Sequence, residues 1–150
     1  EESPVYSVKN GIIMFNAEIP TGIESKNLVL SVFMDKLREF VESDPFDEYG
    51  CRLAMDEALT NAMEHGNNWN PGAPVRILAV FNYNYISITI EDAGDGFDTD
   101  IVFTGRPAHP LRPRGHGIPL IKQYSKAFWN QKGNSITLRF DLGVKTDCCS

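Results

Sequence analysis

Positive charge is in short supply in this sequence. Fourteen Lys and Arg stand against twenty Asp and Glu, for a net charge of −6, which opposes the positive field that non-specific nucleic-acid binding needs. Nucleic acid is therefore not an expected partner. Long apolar runs are missing as well: the longest, 27–34 and 75–81, fall far short of the roughly 20 residues a membrane-spanning helix requires. Cysteine is scarce. Cys51 lies inside an apolar helical pattern and Cys148-Cys149 stand near the end, a spacing that fits neither a zinc site nor a disulfide framework. Free thiols in a reducing compartment are the plainer account. The opening Glu1-Glu2-Ser3-Pro4 lacks the basic stretch of a secretory leader, and the expected location is cytoplasmic. There is no Gly-x-x-x-x-Gly-Lys-Ser/Thr loop, no complete dinucleotide fingerprint, no pair of histidines around Glu57 and no Gly-x-Ser-x-Gly, so several common nucleotide, metal and hydrolase chemistries lose their usual motifs.

What remains is an ordinary globular composition, 42% hydrophobic over 150 residues. A chain of that length can bury roughly 70% of its unfolded surface. Without repeats or linkers, 1–150 is expected to form a single domain; excision from a longer regulator stays open. Residues 5–17 read as a strand pair about Asn10-Gly11. Leu30, Phe33, Met34, Leu37 and Val41 recur at helical spacing from Ser25, with Pro45 as the stop. A second helix is predicted over 47–65, ending at Gly66. Strands follow at 75–81 and 85–91. In the latter, Ile86, Ile88 and Ile90 share one face, and the period of two puts Asp92 on that face. The Gly- and Pro-rich segment 93–114 is long for a compact domain and reads as a lid or binding loop. A helix at 117–125 and a hairpin of 126–130 with 135–142 close the chain. This order predicts an α+β two-layer sandwich, a mostly antiparallel sheet with helices on one face.

Three clusters invite a chemical reading. Glu57, Asn61 and His65, at i, i+4 and i+8, stack along one stripe of the second helix, beside the small Ala54, Ala58 and Ala62. Alone, such a stripe is more often a solvated face. Asp92-Ala93-Gly94-Asp95-Gly96-Phe97 reads first as a turn leaving a strand. A carboxylate on the apolar side, however, needs a donor, which the exocyclic amine of a bound base could supply. In Arg114-Gly115-His116-Gly117-Ile118, glycines at the mouth of a helix allow an anion to approach its free N–H groups. Arg106, Arg112 and Arg114 strengthen that weak motif.

In this order and spacing, the clusters resemble the N, G1 and G2 boxes of the GHKL superfamily of ATP-binding domains, which includes gyrase-type ATPases and histidine kinases. Asp56-Glu57-Ala58-Leu59-Thr60-Asn61-Ala62-Met63-Glu64-His65-Gly66 closely resembles the N box of the anti-sigma-factor serine kinases, the RsbW and SpoIIAB type. Arg114-Gly115-His116-Gly117-Ile118 and the closing Ser135-Ile136-Thr137-Leu138-Arg139-Phe140 are similar to that family too. Pro119 departs from it, standing where a larger apolar residue is usual.

The resemblance implies a Bergerat-type ATP-binding fold and an ATP-dependent protein serine/threonine kinase that doubles as an anti-sigma factor in partner switching. It implies a small anti-anti-sigma (STAS-type) domain as substrate, a sigma factor as competing partner, a homodimer, and ATP with Mg²⁺. By the same resemblance Glu57 is the general base, Asn61 the Mg²⁺ ligand and Asp92 the adenine acceptor. His65, Gly94, Gly96, Arg114, Gly115, His116 and Gly117 complete the ATP site. A different class stays open: a nucleotide-binding interaction module of a multidomain signalling regulator, which transfers no phosphate. Intact Glu57 and Asn61 favour the kinase, since such a module has no chemical need for either. No gyrase-type transducer segment and no phospho-acceptor histidine region is recognisable, so neither of those relatives is expected.

Overall fold

The computed structural model describes residues 7–8, 11–42, 46–94 and 117–142. In chain order these form β1 (Ser7–Val8), β2 (Gly11–Pro20), α1 (Ile23–Leu37), α2 (Glu48–Asn61), a π-helical turn (Ala62–Gly66), β3 (Pro74–Phe81), β4 (Tyr85–Glu91), α3 (Gly117–Tyr124), β5 (Lys126–Trp129) and β6 (Ser135–Asp141). The strands make one sheet in the order β1-β2-β3-β4-β6-β5. Every neighbouring pair is antiparallel. The helices pack on one face of it, α1 against β2 and α2, and α2 against α3 and β6, so the predicted two-layer α+β architecture holds.

The strand alternation explains which face is covered. Ile86, Ile88 and Ile90 of β4 are buried, as are Val75, Ile77 and Ala79 of β3 and Ile136, Leu138 and Phe140 of β6. Each fully buried isoleucine contributes about 1.5–3 kcal/mol. From the helical side Leu30, Phe33 and Leu37 of α1 and Met55 and Leu59 of α2 close the core. The Phe33 ring meets Phe15 edge to face at 5.4 Å.

The first helix differs from the expected one at both ends. It starts at Ile23 and stops at Leu37, well before Pro45, which lies outside the described residues. Arg38 is its C-cap, and the Glu39, Phe40 and Val41 amides turn back onto the Lys36 and Leu37 carbonyls. Phe40 and Val41 still pack on the core without helical backbone, which is why the apolar spacing outruns the helix.

The second helix begins as predicted. Asp47 is its N-cap, accepting the Gly50 N–H at 2.9 Å, an arrangement that supplies one of the four unsatisfied amides of a helix start. Ala54, Ala58 and Ala62 are buried. The helix carries small residues where its neighbours come close: a Cβ on Gly50 would collide with the Tyr124 ring of α3. The predicted strand boundaries at β3, β4, β5 and β6 agree with the structure to within a residue or so.

Candidate functional site

The helix that carries Glu57 and Asn61 does not end in regular α geometry. Over Ala62–Gly66 it widens to a π turn, with the Asn67 amide reaching five residues back to the Ala62 carbonyl at 2.9 Å. The Trp69 amide then reaches the Met63 carbonyl at 2.8 Å. Such turns are rare and recur at functional sites. Asn68 and Trp69 follow with φ of 52° and 56°, the left-handed region that non-glycine residues seldom enter. The extra residue in the turn means that the stripe of i, i+4, i+8 no longer repeats evenly past Asn61.

The widened turn delivers Gly66 to the end of β4. A Cβ on Gly66 would overlap the Asp92 carboxylate, and one on Gly94 would overlap the Gly66 carbonyl oxygen. Asp92 itself is held by its main chain. Its N–H donates to the Asn134 carbonyl at 2.9 Å, and its carbonyl accepts from Asn134 Nδ2 at 3.3 Å. One carboxylate oxygen accepts the Gly94 N–H at 2.7 Å. Burial pushes the Asp92 carboxyl above the usual carboxylate range; the Gly94 amide opposes this, Glu91 adds to it and Lys132 lowers it. Few partners compensate for the desolvation, which is the condition that favours a ligand donor.

Between the end of α2, the Asp92 turn, α3 and the β5–β6 hairpin lies a hollow of about 50 Å³, several times the roughly 10–15 Å³ one water needs. Its walls are apolar, from Ile90, Ile118, Ile121, Ile136 and Trp129, and its polar groups include Asn61, His65 and Asp92. Such a mix, apolar walls with a few placed polar groups, suits a flat heterocycle with an amine. The side-chain amide nitrogen of Asn61 is buried and has no hydrogen-bond partner among the described residues. A buried polar group without a partner calls for an explanation. No cluster of three metal-ligating side chains occurs among the described residues.

Three residues singled out from the sequence, Asn61, His65 and Asp92, thus meet at one hollow. Glu57 lies one helical turn before Asn61, half-buried and outside the described lining. Gly94 closes against Gly66 beside Asp92. Gly117 opens α3. Gly96, Arg114, Gly115, His116 and all of the predicted lid or binding loop 93–114 beyond Gly94 lie outside the described residues, as do Arg106, Arg112 and Cys148-Cys149.

Two further residues, which no sequence pattern marks, hold the Asp92 turn from two sides: Asn134, between β5 and β6, bonds the Asp92 main chain, and Asn67, in the loop after the π turn, accepts the Ala93 N–H on Oδ1 at 2.8 Å. No periodicity marks an asparagine that is buried inside a loop.

Comparison with known proteins identifies the family. A stretch of 79 residues is 35% identical to a protein named Serine-protein kinase RsbW from Oceanobacillus iheyensis, covering 47% of this chain and 49% of that protein. The chain therefore matches about half the length of that relative. The family described as Histidine kinase-like ATPase domain matches residues 23–140, which takes in the helix with Asn61, the Asp92 turn and the hairpin that closes the hollow. With that match spanning both layers of the sandwich and all walls of the site, the chain belongs to the histidine kinase-like ATPase domain family.

Proposed function

We propose that the protein is an ATP-dependent protein serine/threonine kinase and anti-sigma factor that phosphorylates an anti-anti-sigma domain. The observation that carries this reading is the meeting of Asn61, His65 and Asp92 at one apolar hollow, together with the likeness to a serine-protein kinase. In this reading adenine enters the hollow edge-on and its 6-amino group donates to the Asp92 carboxylate. Gly66 and Gly94 let the helix end and the strand end close on each other around that carboxylate, where a side chain would collide.

Mg²⁺ fits the residues present. Asn61 offers an amide oxygen, a hard ligand of the kind such a cation takes while keeping phosphate oxygens and water in the rest of its shell. When bound, it would neutralise charge on the phosphates. Glu57, one turn before Asn61 on the same helix, takes the proton of a protein serine or threonine hydroxyl as its oxygen bonds to the γ-phosphorus. The bond to the β-phosphate oxygen breaks and ADP leaves. Positioning by a rigid helix supplies much of the rate in such transfers.

The partners in this reading are a STAS-type substrate, a sigma factor and a second copy of the chain. Support for a homodimer comes from α1, where Leu28 and Val32 stay 66% and 48% exposed on one face. Among the described residues no helix is long and apolar enough to cross a membrane. The test is incubation with γ-labelled ATP, Mg²⁺ and candidate anti-anti-sigma domains. Label on a serine or threonine of the domain is the expected result. ADP binding without any transfer would replace the kinase with a non-catalytic nucleotide-binding module.

A further inference from the structure

We infer that Asn67 is a positioning residue for base recognition, holding the turn after β4 so that the Asp92 carboxylate faces an adenine amine. This rests on the reading of Asp92 as the adenine acceptor.

Asn67 is only 5% exposed, yet it sits in a loop. Its amide is used at both ends. Oδ1 accepts the Ala93 N–H at 2.8 Å. Nδ2 donates to the Thr21 hydroxyl at 2.9 Å and to the Pro74 carbonyl at 3.1 Å, with the Ala73 carbonyl further off at 3.4 Å. Thr21, itself buried, donates its hydroxyl hydrogen bond to the Ala73 carbonyl at 2.8 Å. One side chain therefore ties the junction of β2 and α1, the start of β3, and the backbone one residue beyond Asp92. The first two belong to the rigid sheet and helix layers, and the third is the turn that must aim a carboxylate.

Asp92 has few other restraints. Asn134 fixes its own N–H and carbonyl from the β5–β6 side. The Gly94 N–H that reaches the Asp92 carboxylate depends on the path of the chain through Ala93. Without Asn67 the Ala93 amide loses its acceptor, and on that side only the packing of Gly66 against Gly94 and Asp92 is left to hold the turn. Asn67 does not line the hollow. Of its side-chain partners the Ala93 amide stands next to Asp92, so its effect on a nucleotide is expected at the one group of the base that Asp92 reads.

That restriction separates positioning from simple stabilisation. The measurement is calorimetric titration, in Mg²⁺, with ADP and with purine riboside 5′-diphosphate, which carries hydrogen in place of the 6-amino group. A site built to accept an N–H discriminates against the analogue that lacks it, and the wild-type protein is expected to prefer ADP by about tenfold or more. In Asn67→Ala the preference should shrink to about twofold while affinity for the purine riboside nucleotide stays within about twofold of wild type. An equal loss for both nucleotides would make Asn67 merely structural and overturn the inference.

Asp92→Asn separates the two layers of the reading. No preference in the wild type, and none lost in Asp92→Asn, would remove Asp92 from the site and this inference with it. A preference that collapses in Asp92→Asn but survives in Asn67→Ala would overturn the inference alone. Should circular dichroism show Asn67→Ala unfolded, Thr21→Val removes one acceptor of the Asn67 amide at nearly constant volume and should lower the preference by about twofold. An unchanged preference in that folded variant would equally overturn it.

Discussion

Gly66 lies so close to Asp92 that a Cβ on the glycine would overlap the carboxylate, and Gly94 stands in the same relation to the Gly66 carbonyl. The end of a helix and the end of a strand thus interlock through two residues without side chains. The contact also removes water from the carboxylate, which is the main cause of its raised pKa.

Gly66→Ala should therefore move Asp92 rather than merely crowd it. Inserting a methyl group against backbone and carboxylate costs about 1–3 kcal/mol, and the displaced acceptor should lower ADP affinity by about tenfold or more. Urea unfolding and calorimetry measure the two effects. Unchanged ADP affinity in a folded Gly66→Ala protein would detach the interlock from the nucleotide site.

Asp92 also sets a pH dependence. Its folded pKa is raised by burial, so the native state holds this proton more tightly than the unfolded chain. Its contribution to stability is fully present below the unfolded value and is lost as pH rises through the raised folded value. Nucleotide binding runs the other way, because an amine donates to the ionised carboxylate. ADP affinity should begin to fall, on acidification, above the ordinary carboxylate value of about 3.9, and Asp92→Asn should flatten that part of the profile.

The helices α1 and α2 are pinned together beside the site by Lys26. Its ammonium lies 2.7 Å from the Asp56 carboxylate and donates to the Thr60 hydroxyl at 3.2 Å. The lysine side chain is only 12% exposed and Asp56 is 38% exposed, so this pair is less screened than a surface one. Lys26→Ala should cost about 1–2 kcal/mol, and Asp56→Asn less, since an amide oxygen still accepts. Urea titration giving the reverse order would show that the Asp56 charge itself, not merely an acceptor at that place, is what the helices need.

Cys51 is buried in α2 and its thiol is pushed far above the usual range, chiefly by burial, with Asp47 and Glu48 adding to it. The neutral thiol is a poor nucleophile. Iodoacetamide should label Cys51 in urea and leave it unmodified in the native protein, as read by peptide mass spectrometry; rapid native labelling would mean that α2 opens locally.

Much of this was legible in the sequence where periodicity carries the information. The alternation through Ile90 correctly predicts that Asp92 continues onto the helix-covered side, and the spacing of Asn61 and His65 on one helix brings both to the hollow. Three features were not legible. The π turn arises from backbone bonds that skip a residue, and the sequence 62–66 has no composition that announces it. The end of α1 was hidden because Phe40 and Val41 keep an apolar spacing after the backbone has turned. Asn67 looked like any loop asparagine, since its burial comes from β2, β3 and the Asp92 turn, segments far away in sequence.

Phosphoryl transfer with Glu57 as base is decided by single-turnover transfer from γ-labelled ATP to the anti-anti-sigma substrate, with wild type and Glu57→Gln run side by side. Glu57→Gln should bind ADP as tightly as wild type and transfer about 10²-fold or more slowly, the usual contribution of a general base. Equal transfer rates in the two proteins would contradict it.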